Sequence, residues 1–329
     1  MDESELSKQA TPSRIVSAIR RLARFGMWML LLVFLFSFFG HKFFAAELLA
    51  NFRTHFFAAF LVALLLSRVA KTSWLLFTCM FFATVFLVWD VGQVFLPGEQ
   101  PAAGTTKIRV MSYNVLATST EFDSAISEIR KHDPDVVAVI EYAGMWHVAC
   151  DALNKTYPHQ HRDPRWHGYG IAVFSKIPFE NTQSLALTEK EIDNPAALVN
   201  VRVGDQLLQI LAVHVMSPIK KFRLDLRNRQ FEEIADHVNA RSAPMMLVGD
   251  MNCGPASGFF ANLIEEANLR DSRQGFGIHP SWPNVAGAFA VPIDHVLVSE
   301  EIHVHNRFLG DAGGSDHRPV IVDISIGAR

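Results

Sequence analysis

The chain has 329 residues, a formal net charge of −3, and hydrophobic side chains at half of its positions. That length holds one large or two ordinary domains. The charge excludes a chain that is basic throughout, and three cysteines exclude a disulfide framework.

The average hides a division. Residues 1–100 carry 9 Lys and Arg against 6 Asp and Glu; residues 101–329 carry 21 against 27, a net −6. Proteins that grip long nucleic acids present a basic surface, because neutralising phosphates supplies most of the affinity. The second part therefore has no strong nucleic-acid footprint, although a small phosphorylated substrate remains compatible with it. Nothing in the composition fixes an oligomeric state. Cys150 and Cys253 pair only if the fold brings them together.

Residues 1–24 read as an N-terminal tail, and residues 25–95 as a transmembrane segment of about three helices. "FGMWMLLLVFLFSFFG" (25–40) has no charge, "FFAAFLVALLLS" (56–67) is closed by Arg68, and "SWLLFTCMFFATVFLVW" (73–89) is followed by Asp90. A span needs roughly 20 mostly apolar residues. The second run is short and must draw on its flanks; two spans plus an interfacial helix is the alternative. A cleaved signal peptide disagrees with the further apolar runs and the missing small-residue cleavage site. Arg14, Arg20, Arg21 and Arg24 precede the first run, and Arg68 and Lys71 follow the second. Basic flanks mark the cytoplasmic side, although Lys42 and Arg53 in the first connection weaken the pattern. Three spans place the C-terminal domain outside the cytoplasm, on the periplasmic or extracytoplasmic face of the cell (inner) membrane. "LPGEQPAAGTT" (96–106) reads as a linker, and a globular domain occupies 107–329.

In that domain "KIRVMSYNV" (107–115) alternates as a strand and ends near Asn114. A helix over 125–132 stops at Asp133-Pro134. "VVAVI" (136–140) is the continuous apolar run of a strand buried on both faces, and it delivers Glu141. A carboxylate there is costly to bury unless it binds something. The pattern recurs. "QLLQILAVHV" (206–215) delivers His214, and "APMMLVGDMN" (243–252) delivers Asp250 and Asn252. "VPIDHVLVS" (291–299) opens on Asp294, and "GGSDHRPVIVDI" (313–324) sets Asp316 and His317 before a final strand. Each site alone reads as a strand-end turn. Six such sites with acids, amides and histidines point to one shared centre.

The order YN, E, H, GD-x-N, D, SDH resembles the endonuclease/exonuclease/phosphatase superfamily, a group including deoxyribonuclease I, exonuclease III-type enzymes, inositol-polyphosphate 5-phosphatases and neutral sphingomyelinases. The resemblance runs from about Lys107 to Ile326 and leaves the membrane segment untouched, marking a membrane-anchored, bacterial-type member. It implies a four-layer α/β sandwich: two mixed sheets packed face to face, with helices outside. It also implies roles. Glu141 is the principal Mg²⁺ ligand (Mn²⁺ substituting), Asn114 assists, and Asp316 joins the metal side. Asp250 orients or deprotonates the attacking water, and Asn252 fixes it and the phosphate. His214 and His317 donate to phosphoryl oxygens, with Asp294 orienting His317. Ile140 stands where many members have Gln, and Met251 and Cys253 also depart from the common pattern.

Three stretches are candidates for the substrate rim. They are the loop 154–170 with Tyr169, the segment 214–223 with Lys220, and "HPSWPN" (279–284) with Trp282. The loop histidines suit a headgroup or a metal, and the Lys220 segment a second phosphate or anionic lipid. The reading is thus a membrane-anchored, divalent-metal-dependent phosphoester hydrolase, a phosphodiesterase or phosphatase, acting outside the cytoplasm. Its partners are the bilayer and a phosphoester, with lipid headgroups or small phosphoesters favoured. A nuclease is the alternative within this class. A non-catalytic membrane binding or scaffolding protein is the alternative of another class.

Overall fold

The computed structural model describes residues 14–187 and 193–327. Residues 1–13 of the tail lie outside them. Arg14 to Arg24 belong not to a tail but to the first turns of helix α1 (Arg14–Phe36). A short helix α2 (Phe44–Ala50) follows, then α3 (Arg53–Ala70) and α4 (Trp74–Gly92). Three helices, Arg14–Phe39, Arg53–Ala70 and Trp74–Phe95, are long and apolar enough to cross a membrane. They pack through an aromatic cluster in which the Phe34 ring meets Phe56 at 5.5 Å and Phe60 at 5.3 Å. The Ser73 hydroxyl caps α4 by accepting the Leu76 N–H.

The rest of the chain forms two six-stranded sheets. The first runs β11-β12-β1-β2-β4-β3 and the second β5-β6-β7-β8-β10-β9. The strands of the first are β1 (Lys107–Asn114), β2 (Val136–Ile140), β3 (His159–Asp163), β4 (Ile171–Ser175), β11 (Ile302–Leu309) and β12 (Val320–Ile326). Those of the second are β5 (Phe179–Ala186), β6 (Pro195–Val203), β7 (Gln206–His214), β8 (Met245–Asp250), β9 (Arg270–Asp271) and β10 (Asp294–Val298). Both sheets are mixed, with β1 parallel to β2 and β7 parallel to β8.

Side-chain alternation makes the layers. In β2, Val136, Ala138 and Ile140 face the other sheet, where they meet Val199, Ile210 and Val248. Val137 and Val139 face outward, under α5 (Phe122–His132) and α6 (Trp146–Ala149). A strand apolar at every position is what burial on both faces demands. The second sheet is covered likewise by α7 (Lys221–Asn239) and α8 (Gly258–Glu266), through Phe231, Ile234 and Phe260. The molecule is thus the four-layer sandwich expected. Its cysteines are free. Cys150 packs in the first outer layer and Cys253 in the second, so the fold keeps them apart.

Two features differ from a domain on a loose tether. The stretch 96–106 is pinned along the sandwich. His303 Nδ1 bonds the Pro101 carbonyl at 2.8 Å, and the Val304 N–H donates to Gln100. Ser325 Oγ accepts the Gly104 N–H at 2.9 Å. The connection between α1 and α3 also touches the sandwich. There, Arg53 pairs with Asp90 at the end of α4 and lies over the Phe38 ring. Its charge is matched locally.

Candidate active site

Strand register assembles the site. His214 lies opposite Asp250 across parallel β7 and β8, and Asp294 opposite Asp250 across antiparallel β10 and β8. Asn114 ends β1 and Glu141 directly follows β2, so the facing sheet brings its own pair. The Asn114 amide spans the gap, donating to Glu141 Oε1 at 3.0 Å and to Asp250 Oδ2 at 3.1 Å. Gly249, just before Asp250, has φ +142°, and a Cβ there would sit 1.9 Å from the Val213 carbonyl oxygen. Only glycine lets β7 and β8 close at this point.

Asp250 divides its two oxygens. Oδ1 accepts the Asn252 N–H at 2.8 Å, an ordinary Asx turn. Oδ2 faces the cavity, 3.7 Å from His214 Nε2 and 3.8 Å from His317 Nε2. The strand ends at Asp250, and Asn252 has φ +49°. The turn, rather than strand alternation, therefore brings Asn252 into the cavity. Its amide donates to the Val215 carbonyl at 3.0 Å.

The histidines differ. Asp294 Oδ2 holds His317 Nδ1 at 2.8 Å. Burial alone would lower the His317 pKa, but Asp294 first, then Asp250 and Asp316, outweigh it and raise it to about 10. His317 is the cationic member, and the same pairing holds Asp294 low despite its burial. His214 sits with Nδ1 3.1 Å from the Gly168 carbonyl, which that nitrogen meets as a donor. Burial lowers its pKa, so its Nε2 donates only once an arriving anion favours protonation. Asp250 is pushed up to about 8 by burial and then by Asp294, despite His317. Once ionised, it is a stronger base than an exposed aspartate.

A divalent cation fits the residues present. Ligand atoms of Asp250, Asp294 and His317 lie within 4.8 Å of one another, but Asp294 and His317 are already bonded to each other. The better set is oxygen-based. Asp316 Oδ1 is buried without a hydrogen-bond partner, while its Oδ2 accepts from Trp282 Nε1 at 2.8 Å. Glu141 presents a carboxylate to the same cavity, held by Asn114 and by the Ala117 N–H. Hard oxygen donors of this kind suit Mg²⁺ or Mn²⁺.

The central cavity has a volume of about 760 Å³, and Trp282, Tyr169, Glu141, Asp250, Asn252, Asp316 and both site histidines line it. Tyr169 forms a wall behind His214 rather than an exposed rim. Its ring is 4.8 Å from the imidazole, and its hydroxyl accepts from Arg223 at 2.7 Å. Lys220 lines an adjoining cavity of about 370 Å³, and Arg223 lines both. In the loop 154–170, Arg162 pairs with Asp151, and Arg165 with Asp163 and Asp193. Among the described residues its histidines form no group with metal-ligand spacing.

The sequence profile described as the Endonuclease/Exonuclease/phosphatase family matches residues 111–317, which span every one of these strand ends. The chain belongs to that family. It is a hydrolase of phosphoesters, from a family that generally uses a divalent metal. No curated protein sequence matches it. Among solved structures it is similar to an endonuclease/exonuclease/phosphatase from Beutenbergia cavernae (22% identity, TM-score 0.54, 68% of this chain and 72% of that one). It is also similar to sphingomyelinase C from Streptomyces griseocarneus (18%, 0.51, 67% and 99%). A third is D. rerio TDP2 complexed with a single-strand DNA product (17%, 0.56, 67% and 99%). At such identities these likenesses establish the fold.

Sequence reasoning missed three residues around this family centre. Arg227 donates to the Asn252 carbonyl at 3.4 Å, and Glu47 of α2 accepts from Arg227 at 2.6 Å. Asn51 takes the Gly254 N–H. For Glu47 a signal existed: one acid in the otherwise apolar "FFAAELLANF" needs a partner.

Proposed function

We propose that this member of the family is a membrane-anchored phosphoester hydrolase that uses Mg²⁺, or Mn²⁺ in its place, with its catalytic domain outside the cytoplasm. The observation that carries the reading is the buried Asp316 Oδ1, which has no hydrogen-bond partner and only His317 Nε2 at 3.9 Å, lining one cavity with Glu141 and the Asp250–His317–Asp294 group. Glu141 and Asp316 hold the cation, with Asn114 at its side. When bound, it neutralises phosphoryl charge as a Lewis acid.

The chain's own residues do the rest. Asp250 orients a water and takes its proton through Oδ2, while Asn114 and the Asn252 N–H hold the carboxylate in place. His317, kept cationic by Asp294, donates to a phosphoryl oxygen and stabilises the charge that grows there. His214 assists as a second donor once the phosphate's charge favours its protonation.

Lipid headgroups or small phosphoesters fit better than duplex nucleic acid, since the domain is acidic and the three long apolar helices hold it at a bilayer. A nuclease is the alternative. The test is a hydrolysis screen of the full-length chain with Mg²⁺ against phospholipids, inositol phosphates, nucleic acids and a generic diester. Turnover of nucleic acid alone overturns the substrate preference. Turnover of nothing favours the binding or scaffolding role.

A further inference from the structure

Helix α2 and the turn after it sit directly against the catalytic turn. Glu47 is fully buried, and its Oε1 accepts from Arg227 Nη2 and from Ser257 Oγ. Arg227, equally buried, reaches the Asn252 carbonyl with its other amino group. Asn51 Oδ1 accepts the Gly254 N–H at 2.5 Å. Two residues of the membrane segment thus grip the 252–257 loop at three points, and this loop continues from Asp250. Gly40 leaves room for the Glu47 side chain, because a Cβ there would lie 2.6 Å from Glu47 Oε2.

Leu48, Asn51 and Phe52 also line the central cavity itself. Trp166, Ile219 and Trp282, all exposed to solvent, line it too. The cavity therefore has a charged floor, with the acids and histidines, and an apolar mouth partly made by residues that lead straight into α3. A phosphoester seated on the floor places its leaving or retained group against that mouth. Apolar area taken from water there strengthens binding in proportion to its extent.

We propose that the connection between α1 and α3 is a working wall of the active site. In this proposal, Glu47 and Asn51 position the Asp250–Asn252 turn, and Leu48 and Phe52 receive the apolar part of an amphiphilic phosphoester. The inference rests on the phosphoester reading above. It makes Glu47 and Asn51 positioning residues, acting through Arg227 and the Gly254 N–H, and it ties the catalytic turn to the seating of the membrane helices.

The test uses the full-length chain in micelles with Mg²⁺ and two phosphodiesters that share one headgroup, one bearing a long alkyl chain and one a methyl. Asn51→Ala lowers kcat about tenfold on both with little change in KM, and Asn51→Asp, which keeps the acceptor, restores most of it. The double variant Leu48→Ser with Phe52→Ser lowers the ratio of kcat/KM for the long-chain over the methyl diester by about tenfold. Binding of the matching non-hydrolysable phosphonates, followed by calorimetry, shows the same loss of preference. Wild-type turnover together with an unchanged preference in the double variant, or with Asn51→Ala equal to wild type, overturns the inference and leaves the hydrolase reading standing. No turnover of any phosphoester by the wild-type chain overturns both.

Discussion

Asp250 meets two demands with two oxygens, one tying the turn to Asn252 and the other facing the cavity. A turn-forming carboxylate and a cavity-facing one are the same residue, so a turn motif alone never distinguishes them. His317 shows how a neighbour sets chemistry. With Asp294 at 2.8 Å it stays cationic well above neutral pH. Removing that carboxylate removes the strongest of the influences that raise its pKa, so the imidazolium is lost at a lower pH. Asp294→Asn is therefore expected to lose hydrolysis rate by about 10²–10⁴-fold, and to lose more at pH 8.5 than at pH 6. A pH–rate profile checks it; a loss that is constant with pH contradicts it. The variant Asp294→Asn with His317→Ala is expected to be little worse than His317→Ala alone, because the two act as a unit. Multiplicative losses would assign Asp294 another role.

Among the elements, the strands before Glu141, His214 and Asp250 were legible because each joins a largely apolar run to a polar residue. The runs before Glu141, His214 and Asp250 all proved to be central strands. The three helices long and apolar enough to cross a membrane were legible from length and hydropathy. What escaped was anything made by long-range contact. Asn252 enters the cavity through a left-handed turn, not along the strand, and Lys220 points to the neighbouring cavity where Arg223 serves both. Spacing along the chain carries no trace of α2 meeting the loop after β8, some two hundred residues later. Two predictions belong at this scale. Gly249→Ala strains a positive φ, at about 1–3 kcal/mol, and drives a methyl into the Val213 carbonyl. The thermal midpoint of the full-length protein is expected to fall well below wild type, and an unchanged midpoint contradicts the close approach of β7 and β8. Glu47→Ala leaves Arg227 buried and unpaired, which costs about 3–5 kcal/mol. Denaturant titration of the full-length chain in micelles reads it, and a variant as stable as wild type contradicts the buried pair.

For the whole molecule, the contact between the α1–α3 connection and the sandwich has a topological consequence. The connection follows one long helix and the sandwich follows three. If all three helices cross a membrane, both lie on one side, as Glu47–Arg227 and Asn51–Gly254 require. The basic residues at the start of α1 then set which side, by the excess of cations on cytoplasmic flanks. A reporter active only in the cytoplasm is expected to be silent both at residue 41 and after residue 329. Opposite signals at the two positions would break the three-span arrangement, and two positive signals would reverse its orientation.

The proposal to test first is that Glu141 and Asp316 would hold a divalent cation in the cavity where Asp250 activates water. Its most direct test is the hydrolysis rate of a phosphodiester by the full-length chain, before and after chelation and again with Mg²⁺ or Mn²⁺ restored. Activity is expected to vanish in excess chelator and return with either ion, and Glu141→Gln, still folded, to stay at least about 10²-fold below wild type at saturating metal. Full activity in excess chelator, or a Glu141→Gln variant as fast as wild type, would contradict it.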